Sequence, residues 1–217
     1  MRGSGTSSVT GGPFLIGVTG GIASGKSTVI GMLRDLGAEV IDADRVYHGM
    51  IAAGSPLLAD IASRFGSAVI DPDGSLDRKA LGGIVFADPA ALSDLDRITH
   101  PAVIAAIDTL VAASASSVVA VDAIKLIESG HAEHCDTVWL VDCPAERQVE
   151  RLVTTRGLDR REAKRRVASR IWTDDLDRHV DVTIDNGTTL ARTREHVLAA
   201  WDETVATHLH DHPVAPV

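Results

Sequence analysis

The sequence predicts an α/β protein of three layers, with a five-stranded parallel sheet between helices, and three observations carry the prediction. Short apolar runs recur through the chain, segments of helical period separate them, and the first run ends in glycines that lead straight into a helix. Parallel neighbours need crossover connections, and the intervening helices supply them. At 217 residues and 45% hydrophobic content the chain is long enough for one sizeable core.

Phe14-Leu15-Ile16-Gly17-Val18 reads as a strand buried on both faces, because its apolarity is continuous and does not alternate. Val29, Ile30, Leu33 and Leu36 then recur at helical spacing, and Gly37 stands where a helix end takes a left-handed residue. Glu39-Val40-Ile41-Asp42 is the second strand, with an acid at its carboxyl end. From Arg45 to Ser114 the pattern is mainly helical, broken at Gly66, Pro72 and Gly74, and reads as a helical insertion that carries much of a binding site. Val118–Asp122 and Thr137–Asp142 are the third and fourth strands, both ending in aspartate, and Val180–Asp185 is the fifth. A basic helical stretch precedes that last strand, and an amphipathic helix from Leu190 to Thr207 follows it. No internal repeat is visible.

Composition narrows the function. A net charge of −9 and a pI near 5.4 argue against nucleic-acid and anionic-membrane partners, both of which need a basic surface. No apolar run approaches the ~20 residues of a membrane span, and the Gly/Ser/Thr-rich opening lacks a secretory apolar segment. Cys135 and Cys143 are too few for a disulfide scaffold and read as small buried hydrophobes. A cytoplasmic protein is expected.

Gly20-Gly21-Ile22-Ala23-Ser24-Gly25-Lys26-Ser27, with Thr28 after it, matches the pattern of glycine, four residues, then Gly-Lys-Ser or Gly-Lys-Thr, and it lies between a strand and a helix as that pattern requires. Glycines let the backbone N–H groups close on phosphate oxygens, and the helix presents its positive end to the same anion. Lys26 should bridge the β- and γ-phosphates of ATP and Ser27 should ligate Mg²⁺. Asp122, ending the third strand, reads either as a strand-end cap or as the acid held near Mg²⁺; the loop favours the second reading. Asp42 and Asp44 lie at the carboxyl edge of the sheet, where ligands of such folds collect. Asp42 reads as the base for a hydroxyl acceptor, against an alternative of two solvated turn residues starting a helix at Arg45.

Arg147 to Arg170 holds eight arginines and one lysine against three acids, a local +6 in an acidic chain. Such a segment suits an anion-clamping lid, with Arg156 and Arg166 as the clamping pair and Arg160, Arg161 and Arg165 on the surface. His131, His134 and Cys135 lie close together but lack a fourth ligand at zinc-like spacing, so they read as a solvated turn. His208, His210 and His212 alternate in a polar tail.

In this order the residues resemble the dephospho-coenzyme A kinases. The likeness runs from Ile16 to about Trp201 and includes the loop, Ile41-Asp42-Ala43-Asp44, Phe65-Gly66, Asp73-Gly74, Leu76-Asp77-Arg78, Val85-Phe86, Ile98-Thr99-His100-Pro101, Glu128-Ser129-Gly130, Gln148 to Arg151, Arg156, Ala163, Arg166 and Ile184-Asp185-Asn186. The resemblance implies transfer of the ATP γ-phosphate to the ribose 3′-hydroxyl of dephospho-CoA, the last step of coenzyme A biosynthesis. It places Arg78 and His100 among the acceptor-side residues, although His100-Pro101 by itself reads as a helix start. Asn186, by fold position, is expected near the purine. The implied organisation is a flexible leader (1–13), a nucleotide-binding core (14–44, 115–146 and 171–207), a helical acceptor domain (45–114), a lid (147–170) and a mobile tail (208–217), in a monomer or weak homo-oligomer.

Two positions depart from the family pattern. Ile124-Lys125-Leu126-Ile127-Glu128 replaces Pro-Leu-Leu-Phe-Glu after the third strand, and Arg170 replaces a lid glutamine. Lys125 is open to three readings: contact with an extra phosphate of the acceptor, compensation of another substitution, or snorkelling to solvent. Two other functions share the loop, a switch NTPase and a weak ATP-binding module, as does a kinase of a related nucleotide-like acceptor. The absence of Asn-Lys-x-Asp argues against a guanine-reading switch.

Overall fold

The structure, a computed structural model, describes residues 12–169 and 178–211, without the side chains of 210 and 211. Arg170 and residues 171–177 therefore lie outside the described residues, as do most of the leader and the end of the tail. Five parallel strands, β1 (Phe14–Gly20), β2 (Glu39–Asp42), β3 (Val118–Asp122), β4 (Thr137–Asp142) and β5 (Val182–Asp185), form one sheet in the order β2-β3-β1-β4-β5. The fifth strand starts two residues later than the sequence suggests, because Asp181 is spent on its neighbour: its carboxylate accepts the Val138 N–H at 2.8 Å. The glycine loop leaves the central strand, so its phosphates-to-be are flanked by β3 and β4 on either side.

Helices cover both faces. On one, α1 (Lys26–Asp35) and α8 (Leu190–Trp201; the numbering of α2 to α7 follows) pack Val29, Leu33 and Val197 against Ile16, Val18, Val118 and Trp139. On the other, α5 (Pro89–Ala113) lays Val103, Ile107 and Val111 over Leu15, Val119 and Val121. These strand residues alternate between the faces, as the period of two requires. Their apolarity is continuous because both faces are covered.

The insertion consists of α2 (Ala43–Met50), α3 (Pro56–Phe65), α4 (Arg78–Val85) and the first half of α5. It has its own apolar cluster, with Ile51, Leu57, Ile61, Val69, Leu81 and Val85 at its centre. Each helix is started by a capping side chain: Asp42, Ser55, Asp77 and Asp88 accept N–H groups of α2, α3, α4 and α5. His100-Pro101 does not start a helix; Pro101 sits inside α5. A proline removes one helical N–H donor but here leaves a helix of 25 residues intact, held on both sides by the insertion cluster and the sheet.

The described part of the expected lid, residues 147–169, falls on α6 (Ala145–Arg156) and α7 (Arg160–Ala168), closed on each other by Val149, Leu152 and Ala163. Gly157, in the left-handed region, ends α6, and Asp159 caps α7. Past α8 the helix continues through a π-helical stretch, Asp202–Ala206, into α9 (Thr207–Asp211). The tail expected from residue 208 is thus helical to Asp211; His208 lies 4.6 Å from the Phe14 ring, and Leu209 packs on the core.

Candidate active site

The loop is shaped by its neighbours. Gly25 has φ 90°, and a Cβ there would collide with the Asn186 amide, so only glycine fits. Ala23 is also left-handed, at φ 56°, a conformation that costs a side-chain-bearing residue ~1 kcal/mol. What holds it is Arg151, whose guanidinium donates to the carbonyls of Ala23 (3.2 Å), Ser24 (2.8 Å) and Asn186 (2.7 Å). Asn186 adds a bond from Nδ2 to the Ser24 carbonyl at 2.7 Å and accepts from the Thr193 hydroxyl at 2.9 Å. Gln148 sits against Gly21 while donating to the Cys143 carbonyl at 2.6 Å. The loop is a preformed cradle tied to α6 and to the end of β5.

α1 begins without a side-chain cap and without an acid in its first turn, so no carboxylate of its own occupies the positive end that faces the cleft. Lys26 forms an ion pair with Asp122 at the end of β3. Asp122 is in register with Asp42 on one side and Val18 on the other, which aligns the loop, Asp122 and Asp42 along one sheet edge. Asp42 is exposed and caps α2 through the Arg45 N–H at 3.0 Å. The helix it starts begins at Ala43, two residues before Arg45.

A cleft of about 1150 Å³ gathers Gly21, Ile22, Ala23, Gly25, Lys26, Ser27 and Thr28 with Asp122, Arg156, Arg166 and Asn186. Arg166 is paired with Glu162 at 2.8 Å on its own helix, and Arg165 pairs with the same acid. Arg160 binds Glu146 at 2.8 Å, an exposed pair that fits the surface assignment. Asn186 lines the cleft, where its amide donates to the Ser24 carbonyl and accepts from the Thr193 hydroxyl, so its side chain helps to shape the loop.

Beside the cleft lies an apolar-walled cavity of about 270 Å³ between α2, α5 and the segment after β3, lined by Asp44, Tyr47, His100 and Lys125 among others. Leu92, Ile124 and Lys125 line both spaces, so the two adjoin. Asp96 of α5 joins the polar groups: its carboxylate is 3.0 Å from the Lys125 ammonium and 3.2 Å from His100 Nε2. Burial pushes the His100 imidazole below its ordinary value; Asp96 opposes that shift and Lys125 adds to it. Among the described residues Lys125, about half exposed, pairs with Asp96, a partner that none of its three sequence readings named. Arg78 lines neither space; it meets His48 of α2 at 2.8 Å, within electrostatic reach of Tyr47.

Arg151, Gln148, Tyr47 and Asp96 were not singled out by chemistry in the sequence. Arg151 looks like any other arginine of a basic helix, and only its contacts distinguish it. Cys135, by contrast, behaves as read: burial pushes its thiol up to about 12, and it faces Gly17 of the central strand.

A central strand that opens into a capless helix through a Gly-x-x-x-x-Gly-Lys-Ser loop, faced by arginines and flanked by a second, apolar-walled cavity, defines a P-loop kinase of small molecules. The dephospho-CoA kinase family model matches residues 14–192, and a dephospho-CoA kinase of Symbiobacterium thermophilum is 47% identical over 190 residues, covering 86% of this chain and 80% of that protein. The chain belongs to the dephospho-CoA kinase family. A crystal structure from Thermus thermophilus superposes with a TM-score of 0.76 at 28% identity, covering 89% of this chain and 98% of that one. The dephospho-CoA kinase from Campylobacter jejuni follows with a TM-score of 0.54 at 26% identity, over 88% and 96% of the two chains. Among the described residues no helix is long and apolar enough to cross a membrane.

Proposed function

We infer that this chain phosphorylates the ribose 3′-hydroxyl of dephospho-CoA with ATP, giving CoA and ADP. The observation that carries this reading is the adjoining of two spaces, one walled by the phosphate loop and the other by α2, α5 and the segment after β3; Asp42 lines neither, but it is in register with Asp122 of the first and directly precedes Ala43 and Asp44 of the second. ATP phosphates would enter the loop and take Lys26 over from Asp122. The acceptor hydroxyl would lie against Asp42, which accepts its proton as the oxygen bonds to the γ-phosphorus and the bond to the ADP oxygen breaks. Arg156 and Arg166 would meet the charge that spreads over the transferred group. Asp44, His100 and Lys125, which line the second cavity, would position the acceptor, and Arg78, held outside it by His48, would have to leave that contact to join them.

The donor set suits Mg²⁺, since Ser27 offers a hydroxyl and Asp122 a carboxylate in the same cleft, and this ion combines one or two carboxylates with phosphate oxygens. Ser27 and Asp122 would hold it, and when bound it neutralises charge on the β- and γ-phosphates. We place the enzyme in the cytoplasm as a monomer or weak homo-oligomer with a small-molecule substrate and no nucleic-acid or membrane partner.

The test is incubation with ATP, Mg²⁺ and dephospho-CoA while CoA and ADP are followed together. Equimolar CoA and ADP are expected. Tight ATP binding with no CoA formed would instead make this chain a nucleotide-binding module.

A further inference from the structure

Behind the acceptor-side cavity, whose wall includes His131, the fold assembles a side-chain cluster to which the phosphoryl-transfer steps above assign no role. His131 and His134 open and close a 3₁₀ turn, His131–His134, entered through Gly130 in the left-handed region. In a 3₁₀ turn, residues three apart eclipse, so both imidazoles stand on the same side, with ring centroids 5.4 Å apart. Asp108 of α5, 23 residues before His131 in the chain, supplies a carboxylate to that side: its oxygens lie 3.4 Å from His131 Nε2 and 3.0 Å from His134 Nδ1.

Burial separates this arrangement from a surface hydrogen-bond cluster. The His131 side chain is 2% exposed, and its Nε2, 3.4 Å from the Asp108 carboxylate, has no hydrogen bond of good geometry. A buried ring nitrogen left unsatisfied costs free energy that some partner normally recovers. One donor atom from each of the three residues can be chosen so that all lie within 4.8 Å of one another. A tetrahedral zinc ion with nitrogen and oxygen donors holds its ligand atoms about 3.4 Å apart, given bonds of ~2.0–2.1 Å, so modest side-chain rotations close the set.

We propose that Asp108, His131 and His134 form a site for a divalent transition-metal ion of the zinc class, leaving one coordination position for water. Two imidazoles and a carboxylate suit zinc far better than magnesium, whose preferred donors are oxygens. Such an ion would staple α5 to the turn that follows β3. Cys135 is not a ligand, since its sulfur lies beneath Gly17 on the sheet side of the turn.

The experiment uses the full chain, stripped with a chelator and titrated with Zn²⁺ by calorimetry, then loaded with Co²⁺ for its visible d–d spectrum. Wild type and a His210→Ala/His212→Ala variant are expected to bind one tight equivalent of Zn²⁺, to gain thermal stability with it, and to give the intense Co²⁺ bands of four-coordination. His134→Ala and Asp108→Asn, both at side chains partly open to solvent, should weaken Zn²⁺ about 100-fold or more and lose those bands. Equal binding by these two variants, loss of the tight equivalent in the tail variant, or no tight equivalent in wild type would overturn the proposal. Because the readouts are binding and spectrum, the result stands apart from whether the enzyme turns over.

Discussion

Asp42 holds two jobs that one substitution can separate. Asparagine caps a helix about as well as aspartate, so Asp42→Asn should leave α2 and the fold intact while removing the carboxylate that takes the acceptor proton. We expect kcat to fall by about 100- to 10,000-fold with the ATP dissociation constant nearly unchanged; wild-type rates would refute the assignment. Lys26→Ala should also remove most activity, but it should weaken ATP binding as well, since Lys26 addresses the nucleotide. Arg151 makes a different prediction, because it touches three loop carbonyls and no reacting atom. Arg151→Met should lower unfolding stability by ~2 kcal/mol in urea titrations and raise the ATP dissociation constant, through a loosened loop. None of this distinguished Arg151 within a segment of eight arginines, whereas Lys26 was legible because its neighbours in sequence are also its partners in space.

At the scale of elements, the strands and the first helix were readable because continuous apolar runs and a 3.6-residue period encode burial directly. Strand order was not, since nothing local states which runs are neighbours, and that order is what sets Asp42 beside Asp122. Pro101 shows the opposite failure: the local cue for a helix start is real, but packing on both sides of α5 overrides it. Lys125 appeared in the sequence as a departure from the family; its partner Asp96 lies on α5, 29 residues earlier. Removing the ammonium takes away a cation that disfavours the charged His100 ring. Lys125→Leu should therefore raise the His100 pKa in an NMR titration, with less than about 1 kcal/mol change in stability because the pair is exposed. An unchanged His100 titration would mean that the Asp96 pair isolates the two.

For the whole molecule, the depressed His100 pKa has a consequence for stability. The unfolded chain, with an ordinary value near 6.5, takes up a proton before the folded one does as pH falls. Stability should then decline between about pH 6.5 and the lower folded pKa, and be unaffected by this group above that window. Urea midpoints compared at neutral and mildly acidic pH test this, with His100→Asn expected to flatten part of the slope. The charged groups facing the ring are Asp96, Glu128 and Lys125, and the net direction is set by burial.

The sheet brings the loop, the metal-suited acid and the acceptor-side acid to one edge, and the insertion and α6–α7 stand on opposite sides of that edge. The claim that this edge carries phosphoryl transfer to a ribose hydroxyl is tested most directly by the position of the phosphate in the product. With ATP labelled in its γ-phosphate, dephospho-CoA as acceptor and phosphorus NMR of the purified product, the label should appear as a 3′-phosphomonoester of the ribose. Label released as inorganic phosphate, or attached at any other position, would contradict it.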